Sequence, residues 1–320
     1  MNALKALWSA SSAGQLTAKG ILGMNCRNIS YISRYNARHL YPLVDDKLQT
    51  KELALENGVN VPDLVGVIRS QHDIRTVEAL TASVAGFCIK PAKGAGGKGI
   101  LVISKTQEGG LKRTNGTSIK MSDIRRHSSD ILAGLFSLGG RPDVAMIETL
   151  IQVDDAFLKF THEGVPDLRV LVFRGVPVMA MMRLSCSSSK GKANLHQGAV
   201  GVGIDIATGR AINAVQKGRI ITDHPDTQQN LLALEVPQWQ GMLALACACY
   251  DMTGLGYLGV DLVLDKCHGP LCLELNARPG LSIQIANNRG LLPRLRKIET
   301  LKRVERMSID DRIAYAASLA

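Results

Sequence analysis

Leu258-Gly-Val-Asp-Leu-Val-Leu264, Asp265-Lys-Cys-His-Gly-Pro270 and Leu271-Cys-Leu-Glu-Leu-Asn276 read in succession as strand, turn and strand. The outer runs are aliphatic and β-branched, and the middle gathers Asp, Gly and Pro. A hairpin centred on that middle sets Asp261 directly opposite Glu274. The two-residue period of a strand then puts Asn276 on the face of Glu274, one step along, and turns Leu271, Leu273 and Leu275 toward a core. Two carboxylates facing each other at ~5 Å destabilise a sheet unless positive charge lies between them. Two acids and an amide, all oxygen donors, suit Mg²⁺ sharing its shell with phosphates and water. Paired surface acids without a metal are the alternative.

Gly94-Ala-Gly-Gly-Lys-Gly99 matches G-x-G-x-x-G. A dinucleotide fingerprint needs a helix straight after the glycines, so that its N-terminus meets the pyrophosphate. Here Ile-Leu-Val-Ile follows, which is strand sequence. The glycines are therefore expected to form a flap between two antiparallel strands, Phe87–Lys90 and Ile100–Ile103. Backbone amides of Gly96 and Gly97 can approach phosphates in such a flap, and Lys90 and Lys98 add positive charge. An ordinary flexible hairpin is the alternative. No Gly-Lys-Ser/Thr opens a helix, and neither His-Arg-Asp nor Asp-Phe-Gly occurs, so the P-loop and protein-kinase readings fail. Flap and acidic hairpin together read as a site for ATP and Mg²⁺, with Mn²⁺ as a substitute metal.

The order of elements sets the fold class. Asp45-Asp-Lys47 opens a helix that runs to Asn57 and stops at Gly58, with an Asp cap. A strand over Val61–Ile68 and helices over His72–Ala82 and Ser122–Phe136 follow, then a buried strand at Val144–Ile147. From Leu168 antiparallel hairpins dominate until an apolar helix around Pro237–Tyr250. Strand–helix early and hairpins late predict an α+β fold of two lobes. Strict alternation from the Arg174-Gly175 turn puts Arg183 and Arg169 on opposite faces, so one site for both requires a bulge.

Composition bounds the function. The chain has 320 residues, with 38 Lys+Arg against 28 Asp+Glu and net charge +10. The excess admits nucleic acid, an anionic surface or a polyanionic small molecule. Aromatic residues make up only 4%, which weakens a base-stacking platform, so nucleic acid is disfavoured. The basic stretch Arg289–Arg306 reads as helical, either a solvated face or a docking patch. The longest apolar run, Met242–Tyr250, is far short of the ~18 residues of a membrane span. MNALKALWSASSAGQ lacks a continuous apolar core of ~7–15 residues, so no secretory signal is expected. The seven cysteines contain no C-x-x-C pair and read as reduced, packed thiols of a cytoplasmic protein.

Several segments together resemble the ATP-grasp superfamily, most closely the RimK-type α-L-glutamate ligase-like proteins. They are Asp46-Lys47 with its helix, Phe87-Cys-Ile-Lys-Pro91, Gly191-Lys-Ala-Asn-Leu-His-Gln-Gly198 and Leu273-Glu-Leu-Asn-Ala-Arg-Pro-Gly280. The third is close to the ligases' Arg-Ser-Asn-Leu-His-Arg-Gly. The resemblance spans about Asp45 to Asn288. It implies an ATP-grasp domain over residues 45–288, with a smaller lobe at about 60–147 and a larger one at about 148–288. A short helical extension (1–44) precedes it, in place of the full α/β domain such ligases carry before the Asp-Lys helix. A basic helical segment (289–320) follows. Arg27–Tyr41, rich in Arg and Tyr, is expected to pack on a lobe.

By the same resemblance Lys47 and Lys90 contact phosphates, and Glu148, Thr149 and Leu150 form the strand at the adenine edge. Asp167 matches the ligases' Asp-Ile-Arg aspartate, and Lys192 and Asn194 lie in a loop that approaches the phosphates. Asp261, Glu274 and Asn276 match the metal ligands. Arg183, Arg278 and Lys192 are candidate catalytic residues that stabilise phosphate or acyl phosphate. The activity implied joins a carboxylate to an amine through an acyl phosphate, with glutamate or another amino acid as amine and a small acid, peptide or protein as partner. An oligomer is compatible with it. A small-molecule phosphotransferase using the same ATP site, or a basic nucleic-acid-binding protein, remains open on sequence.

Overall fold

The structure is a computed structural model describing residue 16 and residues 18–94, 96–189 and 191–319. The reading of MNALKALWSASSAGQ lies outside the described residues.

Two antiparallel sheets carry the fold. The first contains β1 (Leu64–Ile68), β2 (Gly86–Pro91), β3 (Leu101–Lys105), β4 (Leu111–Arg113) and β5 (Ala145–Thr149), in the order β1-β5-β2-β3-β4. Its core joins Phe87, Ile89, Ile103 and Ile147 to Ile124 and Ile131 of the Met121–Leu132 helix. The second contains β6 (Asp167–Phe173), β7 (Val176–Leu184), β8 (Val200–Ile204), β9 (Ala211–Gln216), β10 (Arg219–Ile220), β11 (Tyr257–Asp265) and β12 (Gly269–Asn276). Their order is β10-β9-β8-β7-β6-β11-β12, a meander with a hairpin added beside its first strand. The α+β expectation holds.

Between the sheets runs the Lys47–Glu56 helix. Asp46 caps it, accepting from the amides of Leu48 (3.0 Å) and Gln49 (3.3 Å), and the left-handed Gly58 (φ +67°) lies just past its end.

The deciding hairpin forms with two differences. Asp261 does pair with Glu274, and Gly259 with Asn276. The turn is tighter than expected, however, because Asp265 Oδ1 accepts from Cys267 N (2.8 Å) and His268 N (3.0 Å) and closes an Asx turn. A bulge at Leu273 restores the register, so Leu262 faces Cys272. The bulge also reverses the alternation. Cys272 and Leu275 enter the large core, Leu271 lines a separate cavity, and Leu273 stays half-buried.

The Arg/Tyr-rich stretch packs on the seven-stranded sheet. Residues Met24–Tyr35 are helical, with π-type hydrogen bonding over Arg27–Ile32. The Tyr35 ring meets Phe173 edge-on at 4.8 Å between centroids. Buried Asn36 donates to the carbonyls of Tyr257 (2.8 Å) and Ala277 (2.9 Å) and accepts from Tyr257 N (2.8 Å). In the basic stretch, the Leu292–Glu299 helix buries Leu292, Arg294, Leu295 and Ile298 and exposes Arg296 and Lys297. Cys186, Cys247, Cys249 and Cys272 are buried free thiols, whereas Cys26 and Cys267 are exposed, so packing accounts for only part of the set.

Candidate active site

A row of charges crosses four strands of the second sheet on one face. Arg183 on β7 is paired with Asp167 on β6, Arg169 on β6 with Asp261 on β11, and Asp261 with Glu274 on β12. The required bulge is present on β7: Leu171 pairs with Met179 but Val172 with Pro177, leaving Val178 extra. That one residue brings Arg183 to the face of Arg169. Both guanidiniums converge on Asp261. Arg169 Nε and Nη2 donate to Oδ1 and Oδ2 at 2.6 Å each, and Arg183 Nη2 lies 2.7 Å from Oδ2. Arg183 also bonds Asp167 through Nε. Burial works against the Asp261 charge, but Arg169 and Arg183 outweigh it and bring its pKa down to about 2. Asp167 goes the other way. Burial pushes it up to about 7, Arg183 opposes the rise, and the Asp261 charge adds to it.

The first sheet and the Lys47–Glu56 helix supply amines. Glu148 on β5 is buried between two of them, with Lys51 Nζ 2.7 Å from Oε1 and Lys90 Nζ 2.6 Å from Oε2. Burial lowers the pKa of Lys51 despite this partner. For Lys90, Glu148 outweighs the burial penalty and raises it, so the amine stays charged. Lys47 Nζ reaches Glu274 Oε1 at 3.0 Å and donates to Gly94 O at 2.7 Å. Lys47, Lys51, Lys90, Glu148 and Glu274 thereby line one narrow cleft between the sheets. Thr149 and Leu150 line a neighbouring cavity of about 180 Å³ with Val61, Pro62, His268 and Leu271. Glu148 does not line it.

The flap joins β2 to β3 as expected. Its base is fixed by buried Asp143, which accepts from Lys93 N (3.0 Å) and Ser137 Oγ (2.6 Å). Gly96, Gly97 and Gly99 have φ of +64°, +71° and +76°, a conformation glycine adopts without strain. Lys98 is exposed beside them.

The remaining expected residues sit less centrally. Lys192 is exposed in the loop before the Leu195–Gln197 turn, and its side chain makes no hydrogen bond or ion pair among the described residues. Asn194 spends its carbonyl on a cap, accepting from His196 N at 3.0 Å. Arg278 is exposed, 3.3 Å from Asp45 and 5.2 Å from the centre of the Tyr41 ring. Arg183, expected at the phosphates, has its guanidinium taken up by Asp167 and Asp261, so its place is in the floor of the site.

The oxygen donors fit Mg²⁺ unequally. Glu274 has a side chain 41% exposed with one oxygen off Lys47, and half-buried Asn276 lies one step along the same face. Asp261 lies beneath them, with both oxygens already bonded to guanidinium. The repulsion that seemed to demand a metal is met here by Arg169 and Arg183 on one carboxylate and Lys47 on the other. Among the described residues no group of three or more His, Cys, Asp and Glu forms a metal site, so an ion here depends on the Asn276 amide. Glu274 and Asn276 are its accessible donors.

Lys51 was not foreseen in this arrangement, and Arg169 was considered only together with Arg183. Lys51 stands four positions after Lys47 and therefore on the same helix face, a usable signal. Arg169 shares the face of Asp167 by simple alternation.

The profile of the sugar-transfer associated ATP-grasp family matches residues 26–300. A probable alpha-L-glutamate ligase from Thioalkalivibrio sulfidiphilus (strain HL-EbGR7) is 25% identical over 236 residues, covering 74% of this chain and 56% of that protein. One from Aeromonas salmonicida (strain A449) is 23% identical over 261 residues, covering 80% and 64%. The chain thus spans less than two thirds of the length of these curated relatives. Among solved structures, the D-cycloserine synthetase DcsG aligns with TM-score 0.48 at 16% identity over 89% of this chain and 80% of that one. The D-alanine–D-alanine ligase of Bacillus anthracis complexed with ATP aligns with TM-score 0.43 at 13% identity over 87% and 68%.

Proposed function

The chain belongs to the sugar-transfer associated ATP-grasp family, and on that premise we propose that it is an ATP-dependent ligase joining a carboxylate to an amine through an acyl phosphate. One observation carries the reading. Three lysines, Lys90 from the first sheet and Lys47 and Lys51 from the Lys47–Glu56 helix, converge on the cleft where the acidic hairpin of the second sheet presents Glu274, and Lys51 and Lys90 are buried. Buried amines facing open carboxylate and amide oxygens suit a metal–triphosphate.

In this reading Lys90 and Lys47 hold phosphate oxygens, and Glu148 positions Lys90 and Lys51 from behind. The flap amides of Gly96 and Gly97, with Lys98, cover the phosphates and keep water away. Thr149 and Leu150 bound the cavity for the base. Asp261, Glu274 and Asn276 would hold Mg²⁺, or Mn²⁺ in its place, with Glu274 and Asn276 outermost; the ion would neutralise phosphate charge. Arg169 and Arg183, paired with Asp261 and Asp167, hold the floor of the site in a fixed, charge-compensated arrangement. Arg278 and Lys192, both exposed, and Asn194 complete the rim and stabilise phosphate or acyl phosphate. A substrate carboxylate oxygen bonds the γ-phosphorus as the bond to the β-phosphate oxygen breaks, releasing ADP. An amine nitrogen then bonds the carbonyl carbon, phosphate leaves, and the nitrogen gives up its proton. The protein's share is positioning and charge compensation. The names of the relatives favour glutamate as the amine.

The test is ADP release with Mg·ATP, a panel of acids, and hydroxylamine as the amine trap. Hydroxamate on a particular acid is expected. A phosphorylated product without hydroxamate replaces the ligase with a phosphotransferase.

A further inference from the structure

Beyond the cleft lies an open groove of about 1190 Å³. The residues after the acidic hairpin, Gly280–Ser282, form one end of it together with His196, whose Nε2 is 3.4 Å from Ser282 Oγ. Its walls are firmly built. Buried Gln284 accepts from Leu22 N (2.8 Å) and Leu291 N (3.0 Å) and donates to Leu22 O (3.1 Å), clamping the segment before the Met24–Tyr35 helix to the Ser282–Asn287 helix. Asn213 on β9 donates to Ala286 O at 2.9 Å.

The lining is one-sided in charge. Lys19, Arg27, Arg289, Arg294 and Lys297 contribute to it and no Asp or Glu does. Among the described residues none of the five forms an ion pair with a carboxylate. Residues 1–15 contain no Asp or Glu. Arg294 is buried and donates to backbone carbonyls, Val178 O (2.9 Å) and Leu319 O (3.2 Å). Burial and the nearby Arg289 charge hold it below its ordinary pKa, against the Asp205 charge. The same groove carries apolar surface that water otherwise covers: Met24, Ile220 and Ile285 are 65%, 68% and 56% exposed.

A single carboxylate needs one guanidinium. Five cations with no ion-paired carboxylate among the described residues, around an apolar floor, match a ligand with several negative charges and an apolar part. We propose that this groove takes the substrate presented to the cleft, and that this substrate is an amphipathic polyanion bearing two or more phosphoryl or carboxyl groups. The inference rests on the ligase reading for the substrate role, and on the groove alone for the ligand class.

The experiment is calorimetric titration of the full chain with geranyl diphosphate and, separately, tri-glutamate, with geraniol as the uncharged control. Mg·ADP is kept saturating so that the phosphate cleft is filled. At least one anionic probe is expected to bind, and geraniol not. The Arg289→Glu/Lys297→Glu variant, altered only at exposed positions, is expected to bind at least ~10-fold more weakly, with ADP affinity unchanged. The proposal is overturned if neither probe binds, if the double variant binds as tightly as the parent, or if the probe displaces ADP. The two arms separate phosphoryl from carboxyl ligands. Probe binding needs no turnover, so probe binding combined with no hydroxamate on any acid in the separate Mg·ATP assay counts against the ligase reading and leaves the ligand class standing.

Discussion

Arg183 on β7 reaches past β6 to place Nη2 2.7 Å from Oδ2 of Asp261 on β11. The Val178 bulge makes this possible by turning Arg183 to the site face. The contact ties three strands beneath the cleft into one charged unit, Asp167–Arg183–Asp261–Arg169. Every member is largely buried, so each depends on the others for compensation.

Asp261 and Glu274 should therefore fail differently when neutralised. Asp261→Asn leaves Arg169 and Arg183 short of an anion in a buried setting and is expected to cost ~3–5 kcal/mol. Glu274→Gln breaks a pair with Lys47 that is partly open to water, so the loss should stay within ~1 kcal/mol. Turnover is expected to fall ~100-fold or more in Glu274→Gln. Urea unfolding beside ADP release checks both, and equal stability losses would sink the distinction.

Glu148 is the hinge of the lysine cluster. Glu148→Gln leaves Lys51 and Lys90 facing each other without the carboxylate they share, which predicts a stability loss of ~3–5 kcal/mol and weaker nucleotide binding. Adding Lys51→Met removes one of the two stranded amines, so the double variant should be more stable than Glu148→Gln alone. Additive losses in a double-mutant cycle would contradict the coupling.

What the sequence made legible was local. Asp261 opposite Glu274 followed from two strands and a six-residue middle, and Asp46 as a cap followed from the chain beside it. The hairpin expectation reached the right pairing with the wrong interior, because the Asx turn at Asp265 and the bulge at Leu273 offset each other at Glu274 but not at Leu271. The Lys51–Glu148–Lys90 cluster was not legible as a unit. It depends on β5 lying between β1 and β2, a strand order that local pattern does not encode. The groove was hidden for the same reason, since its cations come from both ends of the chain.

The flap glycines should separate by what stands behind them. A Cβ on Gly99 would come within 2.5 Å of the Phe136 ring, in addition to the left-handed backbone, whereas Gly96 faces open space. Gly96→Ala thus carries ~1 kcal/mol of backbone strain, and Gly99→Ala adds a clash to that. Nucleotide affinity is expected to fall in both and thermal stability to fall further in Gly99→Ala. A larger stability loss at Gly96 would contradict this view of the flap.

His224 predicts a pH response in the loop that carries Lys192 and Asn194. It is fully buried, with Nε2 3.1 Å from Ser185 O and Nδ1 accepting from Asp226 N and Thr227 N at 3.3 Å. Asp226 in turn accepts from Ser187 N (2.8 Å) and Ser187 Oγ (2.6 Å), holding the start of that loop. Burial lowers the His224 pKa, against the Ser185 bond and the Asp226 charge, while the His162 charge adds to the lowering. The native state then binds fewer protons than the unfolded chain, whose histidine titrates near ~6.5. Stability from this group is complete above that value and is lost as pH falls through it toward the lower folded pKa. His224→Asn keeps an acceptor for the two amides and removes the titration. It should be less stable than the parent at pH 8, by about 1 kcal/mol for the lost bond to Ser185, yet show a flatter profile from pH 7 to 5. Melting temperatures across that range, with KM for ATP beside them, read the effect. Parallel profiles for parent and variant would assign the acid sensitivity to other groups and free the loop from His224.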